Sequence, residues 1–168
     1  LAWELVPKLL ALCPSRTRRE KSRDYDPQAR FLSDPDRVLA RLEEKGVLKV
    51  LITQNIDNLH HEAGSRSVVE FHGNSRTLRC LECGATLPAD PARLETLPPR
   101  CRCGGVLKPD IIFFGEGIPE LAWFESIEAA RRSDVMLVIG STGEIYPAAG
   151  IPLQAAEQGA TIVEINPE

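Results

Sequence analysis

Short apolar runs alternate along this chain with segments whose apolar residues recur at helical spacing. The run at 47–52, Val-Leu-Lys-Val-Leu-Ile, is rich in branched side chains and bounded by Gly46 and a polar cluster, so it reads as a buried strand. Further strands are expected at 68–71 and at 161–165, and 111–116 reads as a strand and its exit loop. The continuous run at 135–139 reads as a central parallel strand. Between the strands lie helices. Asp34 and Pro35 are read as the N-cap and first residue of one whose apolar face is Val38, Leu39 and Leu42 and which stops at Gly46. A short helix over 57–63 ends at Gly64. Leu121, Phe124, Ile127 and Ala130 mark a helix over 119–132 with a basic last turn, and 147–158 reads as another, ended by Gly159. Residues 1–12 also look helical, with Pro7 limiting or kinking the first turn. Strand, helix, strand, helix, strand predicts an α/β fold with a doubly wound parallel sheet.

Over 77–107 the pattern changes. Apolar periodicity fades while Cys, Pro and Arg rise, which reads as an inserted module without its own hydrophobic core, dividing a larger unit made of 1–76 and 108–168. The insert holds Cys80-x2-Cys83 and Cys101-x-Cys103, 17 residues apart. Four thiolates close a tetrahedral shell with no open position, the arrangement of a structural zinc site. Gly84, Gly104 and Gly105 lie beside the pairs, so backbone amides can approach the sulfurs. A segment so poor in apolar residues needs such a staple to fold; four free thiols are the alternative.

Composition narrows the classes. The 168 residues fit one domain, and 43% apolar with 26% charged residues is globular. A net charge of -4 provides no basic field for nucleic acid and favours lysine-bearing substrates only weakly. No apolar run approaches the roughly 18 residues of a membrane span. The start, Leu1-Ala2-Trp3-Glu4, has no charged n-region of a signal peptide and no initiator Met, which points to a fragment or a processed form. Five cysteines, four of them in tight pairs, fit metal binding in a reducing, cytoplasmic compartment. Cys13 reads as a free thiol, and the basic stretch at 13–25 as a solvated loop, with a binding patch as the alternative.

Candidate chemistry collects at strand ends. In open α/β sheets ligands sit outside the carboxyl ends of strands. There the first run delivers Thr53, Gln54, Asn55 and Asp57, whose side chains hydrogen-bond amides and hydroxyls. Glu70-Phe71-His72-Gly73 ends the second run. Histidine is the natural general base at neutral pH, and His72 is a candidate for that role against the plainer reading of a satisfied buried histidine. Asp57 could equally cap the helix that follows it.

As a set, these strings resemble the sirtuins, the NAD-dependent protein lysine deacylases. The family's T-Q-N-I-D-x-L-H-x-x-A-G is matched at 53–64, E-x-H-G at 70–73, the two cysteine pairs at 80–103, F-G-E at 114–116, G-(S/T)-(S/T) at 140–142 and I-N at 165–166. The match runs from 53 to 168. It implies a Rossmann-like sheet, here incomplete, with a small zinc-binding module holding one structural Zn2+ through Cys80, Cys83, Cys101 and Cys103. It implies NAD and acyl-lysine proteins or peptides as partners. The expected reaction releases nicotinamide and gives deacylated lysine and O-acyl-ADP-ribose, with His72 taking a proton from a ribose hydroxyl. Asp57 would accept from the nicotinamide carboxamide, Asn55 would hold a water or ribose hydroxyl, and Gln54 the ribose, with Ile56 beside them. Gly140, Ser141 and Thr142 would meet phosphate or ribose oxygens, and Asn166, with Glu168, the adenine-side ribose. The backbone of Phe113, Phe114, Gly115 and Glu116 would pair with the substrate peptide; an ordinary strand and turn is the alternative. His60 matches a family position of structural role, and His61 reads as surface.

The chain also departs from the family. Its second cysteine pair is C-x-C, where C-x2-C is usual. No G-A-G-x-S loop or F-R-G segment precedes Thr53, and Gly46 is the only glycine in residues 1–46. The chain stops just after the I-N strand, where the family carries a last turn and helix. No Y-x-x-R pair of the acid-selective deacylases appears, which leans towards an acetyl or other uncharged acyl group. Weak or no turnover is therefore expected of this chain alone. A catalytically silent zinc-bearing α/β module that binds ADP-ribose-like ligands or a protein partner is the alternative. Protein mono-ADP-ribosyl transfer through the same site is a variant of the enzymatic reading. No nucleic-acid or membrane partner is expected, and sequence does not fix oligomeric state, acyl group or protein targets.

Overall fold

The computed structural model describes residues 34–166. The expected helix over 1–12, the basic loop at 13–25, Cys13 and Glu168 lie outside the described residues. Helix α1 (Asp34–Glu44) opens the described chain. Gly46 follows it in the left-handed region (φ 68), and the N–H groups of Val47 and Leu48 both turn back to the Leu42 carbonyl, at 2.9 and 3.1 Å. Those donors are spent on the helix end, so the strand expected from residue 47 starts later, as β1 (Leu51–Thr53), and Val47 is 68% exposed.

Strand β1 pairs in parallel with β2 (Val68–Glu70), Leu51 opposite Val68 and Thr53 opposite Glu70. The crossover carries α2 (Leu59–Ala63), shorter than expected, and closes at Gly64, whose φ of 105 lets its N–H reach the His61 carbonyl.

The chain then enters an antiparallel sheet of order β4-β3-β5, made of β3 (Gly73–Cys80), β4 (Thr86–Pro88) and β5 (Leu107–Ile111), with one short helix, α3 (Pro91–Leu94). Pro88 and Pro109 fall in the two edge strands, where a missing N–H leaves no ladder bond unmade. The insert does have its own core, contrary to the sequence expectation. Leu78, Cys80 and Leu107 are buried, with Leu87, Ala89, Leu94 and Cys101 packed against them. The apolar residues alternate along strands too short to show a period in sequence. The strand expected to start at Ile111 lies earlier, since β5 ends there, and the exit loop expected by residue 116 is a turn over 113–116 with Gly115 at φ 88.

Helix α4 (Glu120–Arg131), β6 (Val135–Ile139), α5 (Gly150–Glu157) and β7 (Thr161–Ile165) complete the described chain. The helix expected from 147 starts at Gly150, after a turn in which Gly150 N–H reaches the Pro147 carbonyl. Strands β6 and β7 are parallel and in register. The main core contains Phe71, Ala130, Ala148, Ile151 and Ala155, flanked by Ile52, Ile127 and Met136. It joins α4 and α5 to both parallel pairs. Strand β6 was expected to be central. Among the described residues it hydrogen-bonds only β7, and Val135, Leu137, Ile139, Val163 and Ile165 remain exposed. In-register residues share a face, so these five form one apolar surface opposite the helices.

Candidate active site and metal centre

The loop leaving β1 is held from below. Asn55 N–H donates to Thr53 Oγ1 at 3.1 Å, and Leu59 N–H to Asp57 Oδ1 at 3.1 Å, so Asp57 does support the start of α2. Asn58 takes a left-handed conformation (φ 70), which asparagine tolerates better than most residues. Ser75 clamps the loop's middle: its N–H and its hydroxyl both donate to the Ile56 carbonyl, at 2.9 and 2.7 Å. Gln54 and Asn55 are exposed, and their side chains make no hydrogen bond among the described residues.

His72 follows β2 and stands over this loop. Its Nδ1 lies 3.3 Å from the Gln54 carbonyl oxygen. A carbonyl only accepts, so in the neutral ring Nδ1 carries the proton and Nε2 the lone pair. Phe71, fully buried, meets the ring edge-on with centroids 5.3 Å apart, fixing its plane. Gly73 is required next. A Cβ there would sit 2.0 Å from the Asp110 carbonyl oxygen, and φ is 79. Sequence reasoning passed over Asn74 and Ser75, both buried. Their signal was two small polar residues where a strand should turn apolar.

At the ends of β6 and β7 a second group assembles. Gly140 N–H donates to the Ile165 carbonyl at 3.1 Å, Gly143 N–H to Ser141 Oγ at 3.3 Å, and Asn166 Nδ2 to the Ser141 carbonyl at 3.1 Å. Gly140, Ser141 and Asn166 are thus brought together, with Thr142 exposed beside them. The 113–116 turn is fixed by its own charges. Lys108 Nζ donates to Glu116 Oε1 at 2.6 Å, Phe113 N–H to Glu116 Oε2 at 3.1 Å, and Lys108 stands 5.1 Å from the Phe113 ring centroid. The Lys108 hydrogen bond, then the Phe113 N–H, holds the Glu116 carboxyl below its usual range. Phe114 is 99% exposed. His60 Nδ1 sits 3.1 Å from Asp36 Oδ1, at ion-pair distance without hydrogen-bond alignment, and His61 Nε2 lies 3.3 Å from Glu70 Oε1.

The four cysteines converge despite the C-x-C spacing. All four sulfurs lie within 4.8 Å of one another. Cys80 and Cys103 are 3.5 Å apart, Cys83 and Cys103 3.5 Å, and Cys83 and Cys101 3.8 Å. Sulfurs placed about 2.3 Å from a tetrahedral zinc stand about 3.8 Å apart, so the cage fits that ion. The thiols feel one another. The Cys83 backbone N–H is foremost in lowering Cys80 to about 6. At Cys103 the Gly105 N–H favours the thiolate, but the Cys80 and Cys83 sulfurs outweigh it and the thiol is pushed up to about 12. Four adjacent thiolates need a cation, and a closed all-sulfur shell makes a structural rather than a catalytic centre.

Parallel strand pairs joined by crossover helices, with polar loops at the strand ends, define an α/β protein of the nucleotide-binding kind with a cysteine module inserted. The Sir2 family model matches residues 16–147, and the chain belongs to the Sir2 family. A curated relative, the NAD-dependent protein deacylase of Aeropyrum pernix, is 52% identical over 133 residues, 79% of this chain and 54% of the relative. A solved Sir2 homologue in complex with ADP-ribose aligns with TM-score 0.77 at 38% identity, covering 82% of this chain and 55% of that one. A Sir2 structure bound to acetylated peptide aligns with TM-score 0.74 at 39% identity, covering 78% and 57%. The chain spans about half the length of the curated relatives it matches.

Proposed function

We propose that the full-length protein containing this chain is an NAD-dependent protein lysine deacylase, acting on acyl-lysine side chains of proteins in the cytoplasm. One observation carries the reading: His72, with its Nε2 lone pair free, stands over the loop of Gln54, Asn55 and Asp57. The relatives' names and the peptide-bound and ADP-ribose-bound neighbours point the same way. The donor set suits NAD, since Gln54 and Asn55 keep exposed amide groups for ribose hydroxyls and for a water. Bound NAD would supply an electrophilic ribose carbon and a nicotinamide leaving group to the acyl-lysine amide oxygen. His72 would accept a proton from a ribose hydroxyl at Nε2 and hold the positive charge, its ring kept in place by the Gln54 carbonyl and Phe71. Asp57 would orient the carboxamide while supporting α2. The exposed Phe114 turn would lay the substrate peptide alongside as an added strand. The zinc would hold the module's fold and take no part in the chemistry.

The test is product analysis. Full-length protein with NAD and an acetyl-lysine peptide should yield O-acetyl-ADP-ribose in step with deacetylated peptide, by mass spectrometry. ADP-ribose attached to protein would instead support the transferase variant. NAD left intact by a folded, zinc-loaded protein would favour a binding module.

A further inference from the structure

The polar residues that follow Gly73 are not explained by strand formation. Asn74, the second residue of β3, is 7% exposed, and every polar atom of its side-chain amide is engaged. Nδ2 donates to Asn58 Oδ1 at 2.9 Å and also to Glu70 Oε1, while Oδ1 accepts from Arg76 N–H at 2.8 Å. The three partners come from different places. Asn58 is the left-handed residue that ends the Gln54–Asn55–Asp57 loop, Glu70 lies two residues before His72, and Arg76 lies in β3 itself. Ser75, next along, holds the Ile56 carbonyl twice. Strand pairing alone does not call for a buried side-chain amide, and a buried one is costly unless fully bonded.

We propose that Asn74, assisted by Ser75, is a positioning residue that locks the loop of Gln54, Asn55 and Asp57 to the turn between β2 and β3 that carries His72, and so sets the spacing between the proton acceptor and the groups that hold the ribose and carboxamide. Its catalytic meaning rests on the deacylase reading; its structural content does not. Asn74 touches neither substrate nor reacting atoms. It acts on two segments that also meet through backbone pairing between β1 and β2, the Phe71 N–H bond to the Thr53 carbonyl, the Ser75 bonds to Ile56 and the long His72–Gln54 contact. The loop residues also include the left-handed Asn58, which would relax once its side chain lost this anchor.

The experiment pairs amide hydrogen exchange with kinetics. In the zinc-loaded chain, Asn74→Ala should speed exchange across 54–59 by about tenfold or more, the loss expected for breaking buried hydrogen bonds. Exchange across 80–107 and across α4 should stay within about twofold. Ser75→Ala, which leaves the Ser75 N–H bond to Ile56 in place, should give the same pattern at smaller size, and it decides the matter if Asn74→Ala does not fold. In the full-length protein, Asn74→Ala should lower kcat on the order of 100-fold, the penalty of misplaced groups, while the KM for acetyl-lysine peptide holds. Unchanged loop exchange, or equal acceleration along the whole chain, would overturn the proposal, as would an undiminished kcat in a folded Asn74→Ala protein. No turnover in the unsubstituted protein would count against the deacylase reading instead, and the exchange pattern alone would then judge the role of Asn74.

Discussion

The inserted module and the β6–β7 pair are similar in size and opposite in what holds them. The module looked the weaker in sequence, yet it buries Leu78, Leu107 and Cys80 around a four-sulfur cage. Strand β6 is the most apolar of the described strands, yet one whole face of the β6–β7 pair, from Val135 to Leu137, Ile139, Val163 and Ile165, is exposed among the described residues. Apolar content therefore does not measure local stability. A strand is stabilised by what covers it, and two strands with one face bare are marginal.

That contrast can be broken most forcefully at the metal. Stripping zinc with a chelator, or substituting Cys80→Ser, should unfold the module, since structural zinc contributes on the order of 10 kcal/mol to such sites. Hydrogen exchange should then rise across β3, β4 and β5 and much less in β6 and β7; a module that keeps its protection without metal would contradict the account. Next comes the backbone crossing beside His72. Gly73→Ala must displace the Asp110 carbonyl from a 2.0 Å clash, and a loss of about 3 kcal/mol is expected in denaturant unfolding.

A matched pair of leucines sharpens the comparison directly. Leu107→Ala, at a fully buried position, should cost about 3 kcal/mol, whereas Leu137→Ala, at a position 40% exposed, should cost less than about 1 kcal/mol. Equal losses would mean that the open face is covered in solution. The smallest effect belongs to Glu116. Its carboxyl is held below the ordinary range by Lys108, so its contribution is present above about pH 4.3 and fades as pH falls through the lowered folded value. Glu116→Gln should remove that part of the acid dependence and little else, as read from unfolding midpoints between pH 3 and pH 6, roughly the carboxyl range.

Much of this was legible in the chain. Gly46, Gly64 and Gly159 marked helix ends because only a left-handed residue closes those turns, and all three lie at positive φ. The cysteine spacing announced a cage because tetrahedral sulfur geometry tolerates one or two intervening residues. His72 and the Gln54–Asp57 loop drew notice as polar residues following short apolar runs, and the structure does bring His72 Nδ1 to 3.3 Å from the Gln54 carbonyl oxygen. What was hidden depended on partners distant in sequence. The late start of β1 came from donors consumed by α1, and the module's core came from pairings between β3 and β5 some 30 residues apart. The role of Asn74 was hidden for the same reason: its three hydrogen bonds define it, and two of them reach other elements.

The most direct test of His72 as proton acceptor is steady-state formation of O-acetyl-ADP-ribose and deacetylated peptide from NAD and an acetyl-lysine peptide by the full-length protein, beside His72→Ala. Product formation that falls on the order of 100-fold or more in the variant, as expected for loss of a general base, is the predicted result. Product formation that survives intact in a folded His72→Ala protein would contradict the assignment of His72 as the proton acceptor of a deacylase.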